Sequence, residues 1–511
     1  MSLIIKRLIV VLAVGFSAIL TGCGSGGGGA VSYPIPALSS INSTATASGS
    51  ANTTFIVYGR GFNTLSAASP VSGYSVDFRD QTTGNVIGSA SWLAGGWHDT
   101  YIKAIVPNTL TVGTTYNVTV TTPGGVMTSS ASFLVTQEVS FNPSTLAWSK
   151  TSALPVAMQG FPTVVAPLAG GTYIYTLGGN IGLSGYGGAM TSNVADVNFN
   201  QLNMTTSASG NAGSLVNTSW TKTTALPALR GFSAGAIATS FNSLVPAAAN
   251  GFVYVLGGLD ASGTAQNTVY YAQINSDGTV GTWNTTTSLP QPLFGHAVAI
   301  FHGRLYVAGG NDASGTPTKT VYSAVIEVDG TLGFWSTYTA LPTAVAYHQL
   351  VTAGGVLYIL GGTSSAGVNP TSSTQSAASS KTVYYNLINI VDGTLAASWM
   401  TNSNSMIKND EKHTAVAVGA NILVSGGLFG ATGSTSFQTG EEYYAAVNAD
   451  GSLGSFNGAT GSNTINSVSG TTFFNHSVAF FADAVGKPHV LILGGQDILG
   501  SVMNADVWYQ Q

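Results

Sequence analysis

From residue 31 onward the apolar residues fall in short runs of strand length, and most runs are closed by glycine, proline, asparagine or aspartate. One series comprises Phe55-Ile56-Val57-Tyr58 and the stretches 74–78, 101–106, 116–120 and 131–135. Strand-length runs alternating with turn formers predict a small antiparallel sandwich over residues 31–138.

A second series is periodic. An apolar stretch ending in Gly-Gly recurs six times, at 173–179, 252–258, 305–310, 357–362, 422–427 and 490–495. The second, third and fourth doublets begin at 257, 309 and 361, a step of 52 residues each time. Residues 253–264 (VYVLGGLDASGT) and 305–316 (LYVAGGNDASGT) align without a gap. An aromatic strand follows the doublet, as in Val269-Tyr270-Tyr271, Val321-Tyr322 and Val383-Tyr384-Tyr385. A turn and a bulky aromatic come next: Asp277-Gly278 with Trp283, Asp329-Gly330 with Trp335, Asp392-Gly393 with Trp399, and Asp450-Gly451 with Phe456. Asp-Gly predicts a two-residue primed hairpin, since both residues tolerate positive φ. The aromatic then buries a large area on the returning strand. Leu-Pro ends the unit at Leu154-Pro155, Leu226-Pro227, Leu289-Pro290 and Leu341-Pro342.

Strand, Gly-Gly, aromatic strand, tryptophan and Leu-Pro in this order resemble the kelch repeat, over about three quarters of the chain. The resemblance implies one four-stranded blade per unit, hence a six-bladed propeller over residues 139–511. The chain departs from the pattern by an extra residue before Trp399, by Phe456 in place of tryptophan, and by insertions at 200–216, 241–250 and 363–380. The last is rich in Ser and Thr and reads as a loop. Trp148 is a last-strand tryptophan with no doublet before it, and Val507-Trp508-Tyr509 is a third strand with no fourth after it. The strand around Trp148 is therefore expected to complete the sixth blade. Within 31–138, the residues Ile56-Val57-Tyr58-Gly59-Arg60-Gly61-Phe62, Asp99-Thr100-Tyr101-Ile102, Pro107, Tyr116-Asn117-Val118-Thr119-Val120 and Pro123-Gly124-Gly125 resemble the IPT/TIG family of immunoglobulin-like domains. That likeness implies a spacer or an interaction module. The expected fold is all-β: an N-terminal immunoglobulin-like sandwich, then a six-bladed kelch-type β-propeller closed by an N-terminal outer strand.

The N-terminus adds an address. Lys6 and Arg7 precede an apolar stretch, 8–19, of secretory length and too short to span a bilayer. Leu20-Thr21-Gly22-Cys23 resembles the lipobox of bacterial lipoproteins, which implies a signal peptide over 1–22 and lipidation of Cys23, the single cysteine. Gly24 after the cysteine resembles the outer-membrane sorting pattern, and residues 23–30 read as a lipidated glycine-rich tether. With Cys23 acylated no disulfide forms, so burial must hold the fold. Charged residues are only 6% of the chain and the formal net charge is −5, with no basic patch. Nucleic acid is not an expected partner; the membrane, through the anchor, is, together with a glycan or protein ligand.

Candidate chemistry is sparse. The first strand of each blade starts at Phe161, Phe232, His296, His348, His413 and His476. A histidine at this point recurs in kelch repeats, and separate blades hold the four apart, so no metal site is expected. Two residues earlier stand Gln159, Arg230, Phe294, Ala346, Glu411 and Phe474, expected to line one mouth of the channel. With Asp410 and Lys412 beside Glu411, the residues Gln159, Arg230, Phe294, Asp410, Glu411, Lys412 and Phe474 are the candidate ligand-binding set. Asp260, Asp312 and Asp497 follow Gly-Gly; one carboxylate per loop falls short of a calcium site and suits a turn. Trp97-His98-Asp99 reads as structural. No Walker loop, Gly-x-Ser-x-Gly or His-Glu-x-x-His is present, and no cofactor or catalytic residue is expected.

Three functions compete: a non-catalytic cell-envelope binding or adhesion protein, a carbohydrate-active enzyme resembling the kelch-type sialic-acid mutarotases and epimerases, and a scaffold in an envelope complex. The first accounts for the anchor, the tether, the spacer and the missing catalytic set. In the second, Arg230 and Glu411 would act as acid and base. Copper radical oxidation of the galactose oxidase type needs a cysteine that the lipid anchor takes. The anchor itself is testable. Cys23→Ala is expected to move the protein from the membrane to the soluble fraction of a cell lysate, and unchanged fractionation would remove the lipoprotein reading.

Overall fold

The computed structural model describes residues 37–41, 46–50, 54–65, 67–92, 97, 101–111, 114–136, 148–168, 170–182, 192–205, 211–238, 251–301, 303–389, 393–418, 421–428, 442–448, 450–458, 473–483, 487–497 and 503–510. Residues 1–36, with the expected signal peptide, Cys23 and the glycine-rich stretch, lie outside them, as do His98 and Asp99. No helix occurs among the described residues.

Residues 37–136 form two sheets. One orders Ala37–Ile41, Thr54–Arg60 and Tyr101–Ile105; the other orders Thr46–Ser50, Gly125–Thr136, Thr115–Thr122, Ser75–Asp80 and Val86–Ser89. Phe55, Val57 and Ile102 of the first face Phe78, Val118 and Phe133 of the second in one core. The Phe55 ring lies 5.3 Å from that of Phe78 and 5.1 Å from that of Phe133. All pairings are antiparallel except that of Thr46–Ser50 with Gly125–Thr136, which is parallel. Trp97 is buried and donates its indole N–H to the Phe62 carbonyl at 2.8 Å, a packing role.

Six four-stranded antiparallel sheets follow. Blade 1 runs outward through Thr163–Leu168, Gly171–Asn180, Asn193–Gln201 and Thr221–Lys222. Blade 2 has Ala234–Ala238, Phe252–Leu256, Val269–Gln273 and Asn284–Thr286, and blade 3 has Ala297–Phe301, Arg304–Ala308, Val321–Val325 and Ser336–Thr337. Blade 4 has Gln349–Ala353, Val356–Leu360, Val383–Leu387 and Met400–Thr401, and blade 5 has Thr414–Val418, Asn421–Ser425, Glu442–Ala446 and Asn457–Gly458. Blade 6 takes Ser477–Ala482, Pro488–Leu493 and Val507–Gln510 from the end of the chain and Trp148–Lys150 from before blade 1. The seam is the expected one: Trp508 pairs with Lys150, Tyr509 with Ser149 and Gln510 with Trp148. Second strands such as Phe252–Leu256 and Val356–Leu360 are buried at every position, since neighbouring blades cover both faces. That is why they read as unbroken apolar runs.

Side chains staple each blade to the next. Tyr175, Tyr254, Tyr306 and Tyr358, each three residues before a doublet, donate to the carbonyls of Gly278, Gly330, Gly393 and Gly451 in the following blade, at 2.5–2.8 Å. The last-strand tryptophans reach the other way. Trp283, Trp335 and Trp399 donate to the carbonyls of Thr224, Thr287 and Thr339 in the preceding blade. The Asp-Gly turns differ from expectation. Gly278, Gly330 and Gly451 have positive φ, but Asp277, Asp329 and Asp450 do not. Gly278 N–H returns to the Asn275 carbonyl, and Asn275 N–H donates to the Thr279 carbonyl, so the loop has three residues and ends in a left-handed glycine. Each Asp accepts instead from the Thr or Ser two residues on, which holds its carboxyl below the usual range.

Trp148 is buried in blade 6 and donates its indole N–H to Glu442 Oε2 of blade 5 at 3.3 Å. Trp148→Ala is expected to lower the unfolding free energy of the whole propeller by about 3–5 kcal/mol, read by urea titration. Deleting residues 504–511 opens the same seam from the other side. If hydrogen exchange after either change showed blades 1–5 protected as before, the ring would not be one cooperative unit.

Candidate functional site

The channel mouth is built on a repeated three-residue entry to each blade. Its first residue, at Met158, Arg230, Leu293, Val345, Asp410 and Phe473, offers its carbonyl to the second glycine of a doublet in the preceding blade, at 2.7–2.9 Å. Its second residue, at Gln159, Gly231, Phe294, Ala346, Glu411 and Phe474, pairs with the residue after its own blade's doublet. Its third residue has positive φ in all six blades: Gly160, Phe232, Gly295, Tyr347, Lys412 and Asn475. These six link head to tail. Phe232 N–H donates to Gly160 O, Gly295 to Phe232, Tyr347 to Gly295, Lys412 to Tyr347, Asn475 to Lys412, and Gly160 to Asn475, all at 2.8–3.0 Å. The cycle is closed.

This registry corrects two sequence alignments. Arg230 stands with Asp410, one residue before the position of Gln159, Phe294, Glu411 and Phe474; Gly231 occupies that position in blade 2. Ser233, not Phe232, is equivalent to the histidines, as Gly258 packs on Ser233 the way Gly310 packs on His296. The histidines themselves explain the doublets. A Cβ on Gly309 would meet the imidazole of His348 in the next blade at 2.7 Å, and one on Gly310 would meet His296 of its own blade at 2.5 Å. Each imidazole wedges between two doublets where no side chain fits. Burial pushes His296 and His476 down to about 4, and His348 and His413 down to about 3, the neighbouring imidazoles adding to the shift for the latter two.

The candidate ligand-binding residues are expected to line the channel mouth. The structure buries all seven: Gln159, Arg230, Phe294, Asp410, Glu411, Lys412 and Phe474. Residues 363–380 fold over Glu411, Lys412 and Phe294. Glu411 accepts from Ser376 N–H at 3.1 Å, from Ser379 Oγ at 2.6 Å and from Ser376 Oγ. Lys412 Nζ donates to the carbonyls of Asn369 and Ser372, both at 2.9 Å, and lies 5.5 Å and 5.7 Å from the Tyr347 and Phe474 ring centroids. Burial pulls its ammonium down to about 8, against the attraction of Glu411. Asn475 donates to Pro370 O at 2.7 Å and to Gln159 Oε1 at 2.9 Å.

Arg230 and Asp410 turn elsewhere. Arg230 donates to the Leu229 carbonyl, Thr268 Oγ1 and Tyr270 OH and lies over the Tyr270 ring. Asp410 accepts from Tyr443 OH at 3.2 Å, and burial holds its carboxyl well above the carboxylate range. Its 3.9 Å approach to His413 Nδ1 is no ion pair, since burial lowers the imidazole to about 3 and leaves it neutral near pH 7. Arg230 and Glu411 share no partner, so the structure forms no acid–base pair from them. Asp260 and Asp312 each accept backbone N–H groups of their own loops, as expected of turn residues. No group of three or more His, Cys, Asp or Glu suited to a metal ion occurs among the described residues. Sequence reasoning missed Tyr347, Asn475, Ser376 and Ser379. Gly160 and Gly295 at one repeat position were the available sign of the left-handed cycle.

Pairing and registry make the larger part of the chain a six-bladed propeller of four-stranded blades, and parts of it are similar to kelch-like proteins. Over 89 residues the chain is 29% identical to Kelch-like protein 13 of Homo sapiens, covering 17% of this chain and 14% of that protein. It is 26% identical over 113 residues to Kelch-like protein 26 of Danio rerio, covering 22% of this chain and 17% of that protein. The chain thus spans less than a fifth of the length of these curated relatives. Among solved structures, the structure of YjhT matches with a TM-score of 0.45 and 14% identity, covering 70% of this chain and 96% of that one. No family model matches.

The buried histidines couple stability to pH. An imidazole depressed from about 6.5 in the unfolded chain favours the fold above that value, and the contribution is lost as pH falls toward the folded value. Phenylalanine fits the slot, as Phe161 occupies it in blade 1. His348→Phe should therefore change stability little at pH 7.5 and reduce the slope between pH 6 and 4 by about 1.4 kcal/mol per pH unit. Urea unfolding at several pH values measures it; an unchanged slope would mean His348 is protonated in the fold.

Proposed function

We propose that this protein is a non-catalytic cell-envelope binding or adhesion protein. In this reading lipid on Cys23 anchors it to the outer membrane, the IPT/TIG-like sandwich is a spacer, and the propeller recognises a glycan or protein ligand at its channel-mouth face. One observation carries the choice between binding and catalysis. Lys412 lies by the rings of Tyr347 and Phe474, Glu411 precedes it in the chain, and Asn475 bonds Gln159, a mixture of donors, acceptors and aromatic faces suited to a sugar or a peptide. Arg230, the partner that proton transfer would require, is directed to Tyr270 instead.

A glycan array probed with the Cys23→Ala chain, with and without Glu411→Gln, tests the reading. Retention of a defined glycan, weakened by Glu411→Gln and recovered unchanged, is the expected result. Accelerated interconversion of sialic-acid anomers, followed by proton NMR, would overturn it in favour of an enzyme.

A further inference from the structure

The insertion at 363–380 engages the mouth in the manner of a bound ligand. It is rooted in blade 4, where Thr363 bridges Ser379 and Ser364 N–H donates to the Ala378 carbonyl. From there it reaches three other blades: Gly367 N–H donates to Gly315 O of blade 3, Gln375 Nε2 to Asn409 O at the entry to blade 5, and Pro370 O accepts from Asn475 of blade 6. Its chemistry at the mouth is narrow. It brings two hydroxyls and an amide N–H to one carboxylate, and three carbonyls to one ammonium and one amide. It brings no charge of its own, since residues 363–380 contain no Asp, Glu, Lys or Arg. Val368 adds an apolar contact beside Phe232, Phe294 and Tyr347.

These contacts differ in kind from those beneath them. The mouth is held by a closed cycle of backbone hydrogen bonds between blades, whereas the insertion is held on it chiefly by side chain–backbone and side chain–side chain bonds. Beyond its root the segment keeps one backbone bond to another blade, Gly367 N–H to Gly315 O, and none to the cycle, so it can lift without disturbing the cycle. We propose that residues 363–380 are an autoinhibitory plug, seated in the ligand site of the mouth and displaced by an uncharged ligand rich in hydroxyl and amide groups. The proposal rests on the reading of the mouth as a binding site, and it supplies the ligand chemistry and the regulation of that site.

The test separates the two. Residues 365–377 are replaced by Asn-Gly, which joins Ser364 to Ala378 as a two-residue hairpin. The probe is a synthetic peptide of residues 365–377. The plugless protein should bind this peptide saturably and the intact protein should not. Glu411→Gln in the plugless protein should weaken binding by about tenfold or more, as hydrogen bonds to a charged acceptor become bonds to a neutral one. No binding by a plugless protein that melts as the intact one does would overturn the proposal. A second measurement needs no deletion. In the intact chain, hydrogen exchange at Gly367 and Ser376 should be far faster than at the cycle amides of Phe232, Tyr347 and Lys412. Exchange of both sets at one common rate would also overturn it, because the plug would open only with the propeller. Glycan binding that is equal with and without the plug would sink the plug alone and leave the binding function standing. Peptide binding with no glycan or protein ligand found would do the reverse.

Discussion

At the centre of the propeller six N–H groups and six carbonyls satisfy one another around a cycle, and every blade must reach it in a left-handed backbone conformation. A cycle has no free end, so no blade can be lost without stranding a donor on one side and an acceptor on the other, in a buried place where each is expensive. Gly160 and Gly295 meet the requirement without strain. Phe232, Tyr347, Lys412 and Asn475 meet it at a cost of about 1–2 kcal/mol each. Strain held by surrounding structure commonly marks positions where a particular side chain matters. Tyr347, Lys412 and Asn475 are the three that hydrogen-bond to the covering insertion.

The side-chain staples show how closely the repeat follows its own geometry. The tyrosine before the doublet appears in blades 1–4, where the next blade offers a turn glycine carbonyl. At the same position blades 5 and 6 carry Leu423 and Leu491. Blade 6 draws its outer strand from before blade 1 and has no such turn, and blade 1 carries its insertion there. A buried tyrosine in either place would lack its acceptor, so leucine packs instead, Leu423 with Trp148 and Trp508, Leu491 with Leu202 and Trp220. Glu442 is the converse case. It stands where blades 2–4 have Val269, Val321 and Val383, and Trp148 donates to it.

Architecture was legible because it is written in repeats. Six doublets specify six sheets, and the unpaired Trp148 and Trp508 specify the seam. Register within the mouth was harder to read. In blade 2, Arg230-Gly231-Phe232-Ser233 offers an arginine, a glycine and an aromatic in a row, and only the carbonyl that Gly179 finds shows which is which. The Asp-Gly turns misled for a related reason: the dipeptide suits two loop lengths, and the Thr or Ser behind it tips the choice by binding the aspartate. Burial of the candidate residues could not be read locally at all. Ser and Thr in 363–380 look like solvent-facing loop until Glu411, remote in sequence, is placed beneath Ser376 and Ser379.

The borrowed outer strand has a consequence for the order of events in the life of the chain. Trp148 leaves the ribosome before any blade exists, and its partner strand at Val507–Gln510 comes last. Blades 1–5 can form while the chain is still growing, yet the sixth waits, leaving Trp148 and the inner cycle without their partners for most of synthesis. The added loop-closure entropy is small, as it grows only with the logarithm of the spacing. The delay is a matter of time rather than of final stability: a long interval with an open apolar edge is when a β-rich chain is most exposed to mispairing with another copy of itself.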